Sequence, residues 1–343
     1  MRVGVLLEQC LAPVPGGTGR YSRELFRALQ QTTPAGSDLQ GWTAWHRSSE
    51  HRRLPLPRRV LVAAWERGRG PRIRADVVHA PTPLHPPRGD RPLVVTVHDA
   101  VPWTHPETLT PRGVRWHRAM IARAAATADL IVVPTQAVAD ELVRHVAVRH
   151  LLVVGEGVSP DLGVPPDADE RAARLGLPER YLLTVATLEP RKGLRELIGA
   201  LDGSLPLLCA GQQGWGGPPP EGARLLGRVS DRDLAVLLSR ATALVVPSYD
   251  EGFGLPLLEG MSLGTPVLTS DAPALVEVAG GAALAVPLSE LREGLRQITT
   301  DEPLRQRLRD AGPRRAADFS WVNAAETLWR AYADLHERHS RQA

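Results

Sequence analysis

The sequence predicts an α/β protein of two doubly wound, Rossmann-like domains, each a parallel sheet covered by helices. Three observations carry that expectation. Short apolar runs alternate with helix-patterned segments along almost the whole chain, as in buried parallel strands joined by crossover helices. The alternation pauses at Ser159 to Asp169, SPDLGVPPDAD, where proline, glycine and aspartate gather without periodicity, and then it restarts. The length, 343 residues, is more than one core comfortably serves and enough for two. The expected divisions are 1–160, 168–320 and a closing helix over 321–339.

Taken in order, Val3 to Leu7 reads as a buried strand. A glycine loop follows, Gly16-Gly17-Thr18-Gly19, and then a helix with Tyr21, Leu25, Ala28 and Leu29 on one face. The glycine spacing is not the G-x-G-x-x-G of a dinucleotide site. Trp42 to Trp45 fits a strand, and His46 to Arg74 is rich in arginine around a short amphipathic helix at Val60 to Trp65. That segment reads as a solvated face, with an anionic membrane surface or anionic acceptor as the functional rival. Val77 to His79 and Leu93 to Val97 are apolar strands, and His98-Asp99 stands at the C-terminal end of the second. Pro111 to Ala126 is a helix, Leu130 to Val133 a strand, Thr135 caps a helix to Arg144, and Leu151 to Val154 is a further strand.

Beyond the pause, Tyr181 to Val185, Leu205 to Cys209, Arg224 to Leu226, Ala243 to Val246 and Ala283 to Val286 read as strands. Helices are expected over Arg195 to Leu201, Asp231 to Ser239, from Leu255, and from Pro273. Three helices close the chain, and the last, capped by Ser320, places Val322, Ala325, Leu328, Trp329, Tyr332 and Leu335 on an apolar stripe.

Composition narrows the function. A net charge of +3, without basic patches interleaved with aromatics, gives no reason to expect nucleic acid. No apolar run reaches the ~18 residues of a membrane span, and the N-terminus enters a strand without a secretory pattern, so a cytoplasmic protein is expected. Cys10 and Cys209 lack metal spacing. Of the 41 basic residues every one is arginine except Lys192, which points to a position that arginine does not serve.

Pro247 to Leu268 concentrates the chemistry. A strand end, the loop Glu251-Gly252-Phe253-Gly254 and a helix opening at Leu255 offer backbone amides and a positive helix end to an anion such as a diphosphate. Glu251 and Glu259 flank it, and a carboxylate with two acceptor oxygens can hold a vicinal diol. Glu189-Pro190-Arg191-Lys192-Gly193 follows another strand, where paired cations would neutralise a departing diphosphate. Asp167-Ala168-Asp169 and Asp231-Arg232-Asp233 spell Asp-x-Asp, but their positions fit linker polarity and helix capping better than a metal.

These motifs together resemble the retaining family 4 glycosyltransferases of the GT-B fold, over nearly the whole chain and in the same order. The resemblance implies two Rossmann-like domains facing across a cleft, with the last helix crossing back to the N-terminal domain. It implies a nucleotide-sugar donor, a hydroxyl acceptor and no metal. Glu259 would then hold ribose, and Glu251 with the amides of Gly252, Phe253, Gly254 and Leu255 the sugar and phosphate. Arg191 and Lys192 would meet the diphosphate, Gly16, Gly17 and Gly19 the distal phosphate, His98 the C6 side of the sugar, and Gly227-Arg228-Val229 the base. Front-side departure and attack, with the leaving phosphate taking the acceptor's proton, would need no protein base. A uridine donor is favoured over guanosine, and a small natural-product acceptor over the alternative, mannosyl transfer to a lipid-linked cell-surface glycan. A solute-binding protein and a GT-B epimerase are the competing classes.

Overall fold

Every strand-to-strand pairing among the described residues is parallel. The structure, a computed structural model, describes residues 1–46, 50–214 and 221–342, so Arg47 of the basic segment lies outside it. Parallel strands covered on both faces need apolar side chains in both directions. Val3, Val5, Val94, Val95, Leu244 and Val245 are accordingly all buried.

The N-terminal unit comprises Met1–Trp103, Thr110–Glu156 and Ser320–Ala343. Its strands are β1 (Arg2–Leu6), β2 (Asp38–Thr43), β3 (Arg52–Arg53), β4 (Val77–Ala80), β5 (Leu93–Thr96), β6 (Leu130–Val133) and β7 (Leu151–Val153), in the order β3-β2-β1-β4-β5-β6-β7. The helices between them are α1 (Gly16–Gln31), α2 (Arg58–Glu66), α3 (Val101–Thr104), α4 (Pro111–Thr127) and α5 (Gln136–His145). Thr110 and Thr135 cap α4 and α5, their hydroxyls accepting from the Gly113 and Val138 amides at 3.1 and 3.2 Å. The glycine segment expected as a loop is instead the first turn of α1. Pro15, whose ring fixes a helix-compatible φ, sits at the cap and starts the helix early.

The second unit comprises Thr104–Leu109 and Gly157–Phe319. The expected linker gives its last residues to α6 (Ala168–Leu175), for which Asp167 takes the cap position. Only Ala172 of this helix is buried, which is why no apolar stripe announced it. The strands β8 (Leu182–Val185), β9 (Leu207–Ala210), β10 (Arg224–Gly227), β11 (Ala243–Val246), β12 (Val267–Ser270) and β13 (Leu284–Val286) run in the order β10-β9-β8-β11-β12-β13. Helices α7 (Leu194–Ala200), α8 (Asp231–Arg240), α9 (Leu255–Ser262), α10 (Pro273–Ala279), α11 (Leu291–Thr300) and α12 (Glu302–Ala316) cover them. Ser230, rather than either aspartate, caps α8 through the Asp233 amide, and its hydroxyl donates to the Asp233 carboxylate at 2.7 Å.

The closing helix, α13 (Trp321–Gln342), belongs to the N-terminal unit and packs on α1. Ala325, Leu328, Trp329 and Tyr332 are buried, each large side chain worth about 1.5–3 kcal/mol in burial. Val322 is 41% exposed, and Trp321 takes its place on the buried face. The Trp329 indole donates to the Leu29 carbonyl at 3.1 Å. The Tyr332 hydroxyl meets Nδ1 of the fully buried His79 at 2.6 Å, and His79 Nε2 meets the Thr96 hydroxyl at 2.8 Å.

Candidate active site

Strand order reverses between β8 and β11, and the crevice beyond the carboxyl ends of strands at such a switch point is where open α/β sheets bind ligands. Two loops leave that edge. After β8 the chain makes a short 3₁₀ turn, Pro190–Lys192, and passes through Gly193 into α7. Gly193 has φ 64°, and a Cβ there would lie 1.9 Å from the Pro247 carbonyl oxygen, so only glycine lets the two loops approach. After β11 come Pro247 to Gly254, and the Tyr249 amide donates to the Arg191 carbonyl at 2.9 Å, fastening one loop to the other.

That approach brings Arg191, Lys192 and Glu251 into one knot. Glu251 is 7% exposed. It accepts from Lys192 Nζ at 2.5 Å, from Arg191 Nη1 at 3.0 Å and from the Ser248 hydroxyl at 2.8 Å. Burial works to raise its carboxyl, but Lys192 and Arg191 outweigh that and hold it down at about 2. Ser248 was not singled out from sequence; its place at the end of β11 is the signal that could have found it. A carboxylate this acidic, with three donors on it, is a poor base and a poor nucleophile.

Gly254, with φ 92°, starts α9, whose first turn has no side-chain cap. Its opening amides are the anion-facing group of the sequence expectation. Phe253 and Leu255 are buried, and the Phe253 ring packs edge-on against Phe319 with centroids 5.4 Å apart. Glu259 is only 2% exposed, on the body of α9. Gly227, Arg228 and Val229 leave the outer strand β10, and the Gly227 carbonyl accepts from the Gly211 amide at 2.8 Å.

His98, Gly16, Gly17 and Gly19 lie in the N-terminal unit. His98 Nε2–H donates to the Pro81 carbonyl at 2.8 Å, which leaves Nδ1 unprotonated in the neutral ring. Burial lowers the ring's pKa, against the Pro81 carbonyl and Asp99, which work to raise it. The Tyr21 ring stands edge-on to it, centroids 4.6 Å apart, and buried Glu156 lies 3.9 Å from Nδ1. Tyr21 and Glu156 were not anticipated as neighbours of His98. Gly16 and Gly17 face open space at the N-terminus of α1, while a Cβ on Gly19 would strike Pro15 at 2.4 Å.

Among the described residues no group of three or more His, Cys, Asp or Glu is placed to hold a metal. Three of the four aspartates in the two Asp-x-Asp runs pair with arginines: Asp167 with Arg171, Asp169 with Arg240, and Asp233 with Arg171 and Arg174.

Comparison with known proteins adds to this geometry. Residues 15–162 match the family model described as Glycosyltransferase Family 4, and residues 219–315 match Glycosyl transferases group 1. The chain is 28% identical to the O-antigen chain mannosyltransferase B of Escherichia coli, over 92% of this chain and 95% of that one. It is 32% identical to a D-inositol 3-phosphate glycosyltransferase of Streptomyces avermitilis over 63% of this chain, and spans 54% of that relative's length. Among solved structures, the sucrose-phosphate synthase of Thermosynechococcus elongatus is similar at TM-score 0.75 and 20% identity, covering 98% of this chain and 100% of the other. Anabaena HepE, solved with UDP-glucose, is similar at TM-score 0.71 and 18% identity over 97% and 100%. AviGT4, involved in avilamycin A biosynthesis, is similar at TM-score 0.62 and 16% identity over 98% of each chain.

Proposed function

The chain is a GT-B glycosyltransferase, uniting a family 4 domain with a group 1 domain, and from that premise we propose that it moves a sugar from a nucleoside diphosphate to an acceptor hydroxyl with retention of configuration. The observation that carries the reading is the Arg191–Lys192–Glu251 knot beside the N-terminus of α9. Lys192 has three donor hydrogens and gives one to Glu251, which leaves two for diphosphate oxygens. Charge gathering on those oxygens as the bond to the sugar breaks would meet Lys192, Arg191 and the helix amides. Each such donor is worth roughly 3 kcal/mol in the transition state.

Glu251 is too acidic to take the acceptor's proton, and this favours the leaving phosphate as base. In this reading its task is to orient sugar hydroxyls and fix Lys192. Glu259 holds the ribose, the Gly227–Val229 turn the base, Gly16, Gly17 and Gly19 the distal phosphate, and His98, through its unprotonated Nδ1, a sugar hydroxyl. No metal is required. In this reading a uridine donor is preferred over guanosine, UDP-glucose being the donor held by one structure of similar fold.

For the acceptor, a glycan on an anionic lipid is favoured over a free natural product by one feature of the N-terminal unit. A groove of about 1140 Å³ is lined by Arg2, Arg52, Arg53, Arg69, Arg72, Arg74 and Arg91 against Asp76 and Asp90. The near full-length similarity to an O-antigen mannosyltransferase points the same way. No helix among the described residues is long and apolar enough to cross a membrane, and the contact proposed is a peripheral one through this arginine-lined groove. Anomeric proton NMR of the product, with UDP- and GDP-sugars compared as donors in chelator, tests the reaction. An inverted product, or dependence on an added divalent cation, would refute it. Flotation with phosphatidylglycerol vesicles at low and high salt tests the acceptor reading.

A further inference from the structure

At the opposite edge of the second sheet, four arginines surround a cavity of about 720 Å³. Thr242 directly precedes β11, Pro266 directly precedes β12 and Arg180 lies just ahead of β8, and all three line it. The cavity therefore opens at the amino ends of the strands whose carboxyl ends carry Lys192 and Glu251. Its wall sets Arg180, Arg240, Arg305 and Arg309 against one carboxylate, Glu302.

The four arginines are held differently. Arg305 is 7% exposed and held at all three of its nitrogens: Nε and Nη2 donate to Glu302, and Nη1 donates to the Ile298 carbonyl at 2.8 Å. It is a fixed post of positive charge. Arg240 is tied to Asp169. Arg309 donates from Nη1 to Glu302 at 2.6 Å, and Arg180 from Nη2 to the Thr299 carbonyl at 3.2 Å. A guanidinium has five N–H donors, so these two keep most of theirs for a ligand. The Ser239, Thr265, Thr299 and Thr300 hydroxyls already donate to backbone carbonyls. Among the described residues the Thr242 hydroxyl has no hydrogen bond.

Like charges around a concave, low-dielectric wall focus a positive potential, and guanidinium forks match phosphate oxygens. We infer that this cavity is a second anion site, separate from the donor site, taking a phosphate group that is either free or the monoester of a small molecule. Arg180 and Arg309 are its binding forks, Thr242 adds a hydroxyl donor, and Arg305 with Glu302 sets the frame. The inference stands on the cavity alone and does not depend on the reaction proposed above.

Isothermal titration of the full chain with inorganic phosphate, against sodium chloride at matched ionic strength, tests it. Saturable binding is expected in wild type and equally in Lys192→Ala, whose lesion is at the donor site. The double variant Arg180→Gln/Arg309→Gln should bind about tenfold more weakly or less, having lost two charge-assisted forks. Thr242→Val, which keeps every charge, should weaken binding by a smaller factor. A parallel titration with glucose 6-phosphate distinguishes the ligand's form: tighter binding than phosphate marks a monoester site, equal or weaker binding a site for the free ion. No saturable phosphate binding in wild type, binding unchanged in the double variant, or binding lost in Lys192→Ala would each overturn the assignment.

Discussion

Lys192 Nζ lies 2.5 Å from Glu251 Oε1, joining the only lysine of the chain to the carboxylate that opens the glycine turn. Both side chains are largely buried, so the pair acts at a lower effective dielectric than a surface ion pair. An ammonium is a compact charge on a flexible stem, and Arg191 already supplies the planar fork on the other oxygen. Lys192→Ala should lower kcat by about a hundredfold or more, the cost of one transition-state donor. Lys192→Arg should recover little of it, because a second fork cannot reproduce the same point contact. Steady-state kinetics with circular dichroism as a check on folding decide this, and a wild-type rate in Lys192→Ala would remove Lys192 from the chemistry.

The same knot predicts a pH dependence of stability. Glu251 is held at about 2 in the fold against an ordinary value of 4.5. A depressed carboxylate contributes stability that is fully present above the unfolded value and is lost as pH falls from about 4.5 towards 2. The pKa difference corresponds to about 3 kcal/mol. Wild type should therefore be more stable than Glu251→Gln at pH 7, and the gap should narrow by pH 3. Thermal melts of both proteins at the two pH values measure it; a gap independent of pH would mean that the cations do not stabilise this carboxylate.

Much of this arrangement is legible in the sequence because it depends on local rules. Apolar runs mark most strands of both sheets, though not β3, which is two exposed arginines, nor β12, which is not among the expected strands, and Thr135 and Ser320 announce helix starts where the structure has them. The solitary lysine and the Glu251 turn identify the edge of the second sheet that carries the knot. What is not legible depends on the partner across space. Gly16 to Gly19 looks like a loop because glycine disfavours helices, yet Pro15 and packing begin α1 there. Val322 fits the period of α13 but faces solvent, since the wider Trp321 occupies the buried face. That Arg191 and Lys192 both close on Glu251 follows from the meeting of two loops far apart in the chain, and no spacing encodes it.

Gly193 makes that meeting possible, and its replacement gives a third prediction. Gly193→Ala places a methyl group 1.9 Å from the Pro247 oxygen at a positive φ, so the two loops must part. A loss of about 3 kcal/mol or more is expected, with the rate falling as Lys192 leaves Glu251. Gly16→Ala, also at positive φ (61°) but in open space, should cost about 1 kcal/mol. Urea titrations of the two variants compare them, and equal losses would show that the close approach is not what requires glycine.

The closing helix provides the last prediction. Tyr332 and Thr96 hold His79 between them inside the N-terminal unit, and burial, reinforced by nearby His98, pushes its pKa down to about 3. A histidine kept neutral by the fold contributes stability above its ordinary value of 6.5, and this is lost as pH falls towards 3, because the unfolded chain binds the proton first. By pH 5 the loss should reach about 2 kcal/mol. Tyr332→Phe removes the hydroxyl and strands Nδ1 without a partner, at a cost of about 1–3 kcal/mol. His79→Gln is not isosteric but cannot take up a proton. It should be less stable than wild type at pH 7.5 and should show a smaller decline in melting temperature between pH 7 and 5 than wild type, the remainder belonging to His85 and His98, whose burial also lowers their pKa. Differential scanning fluorimetry across that range distinguishes the variants, and an undiminished decline in His79→Gln would assign the acid sensitivity to another group.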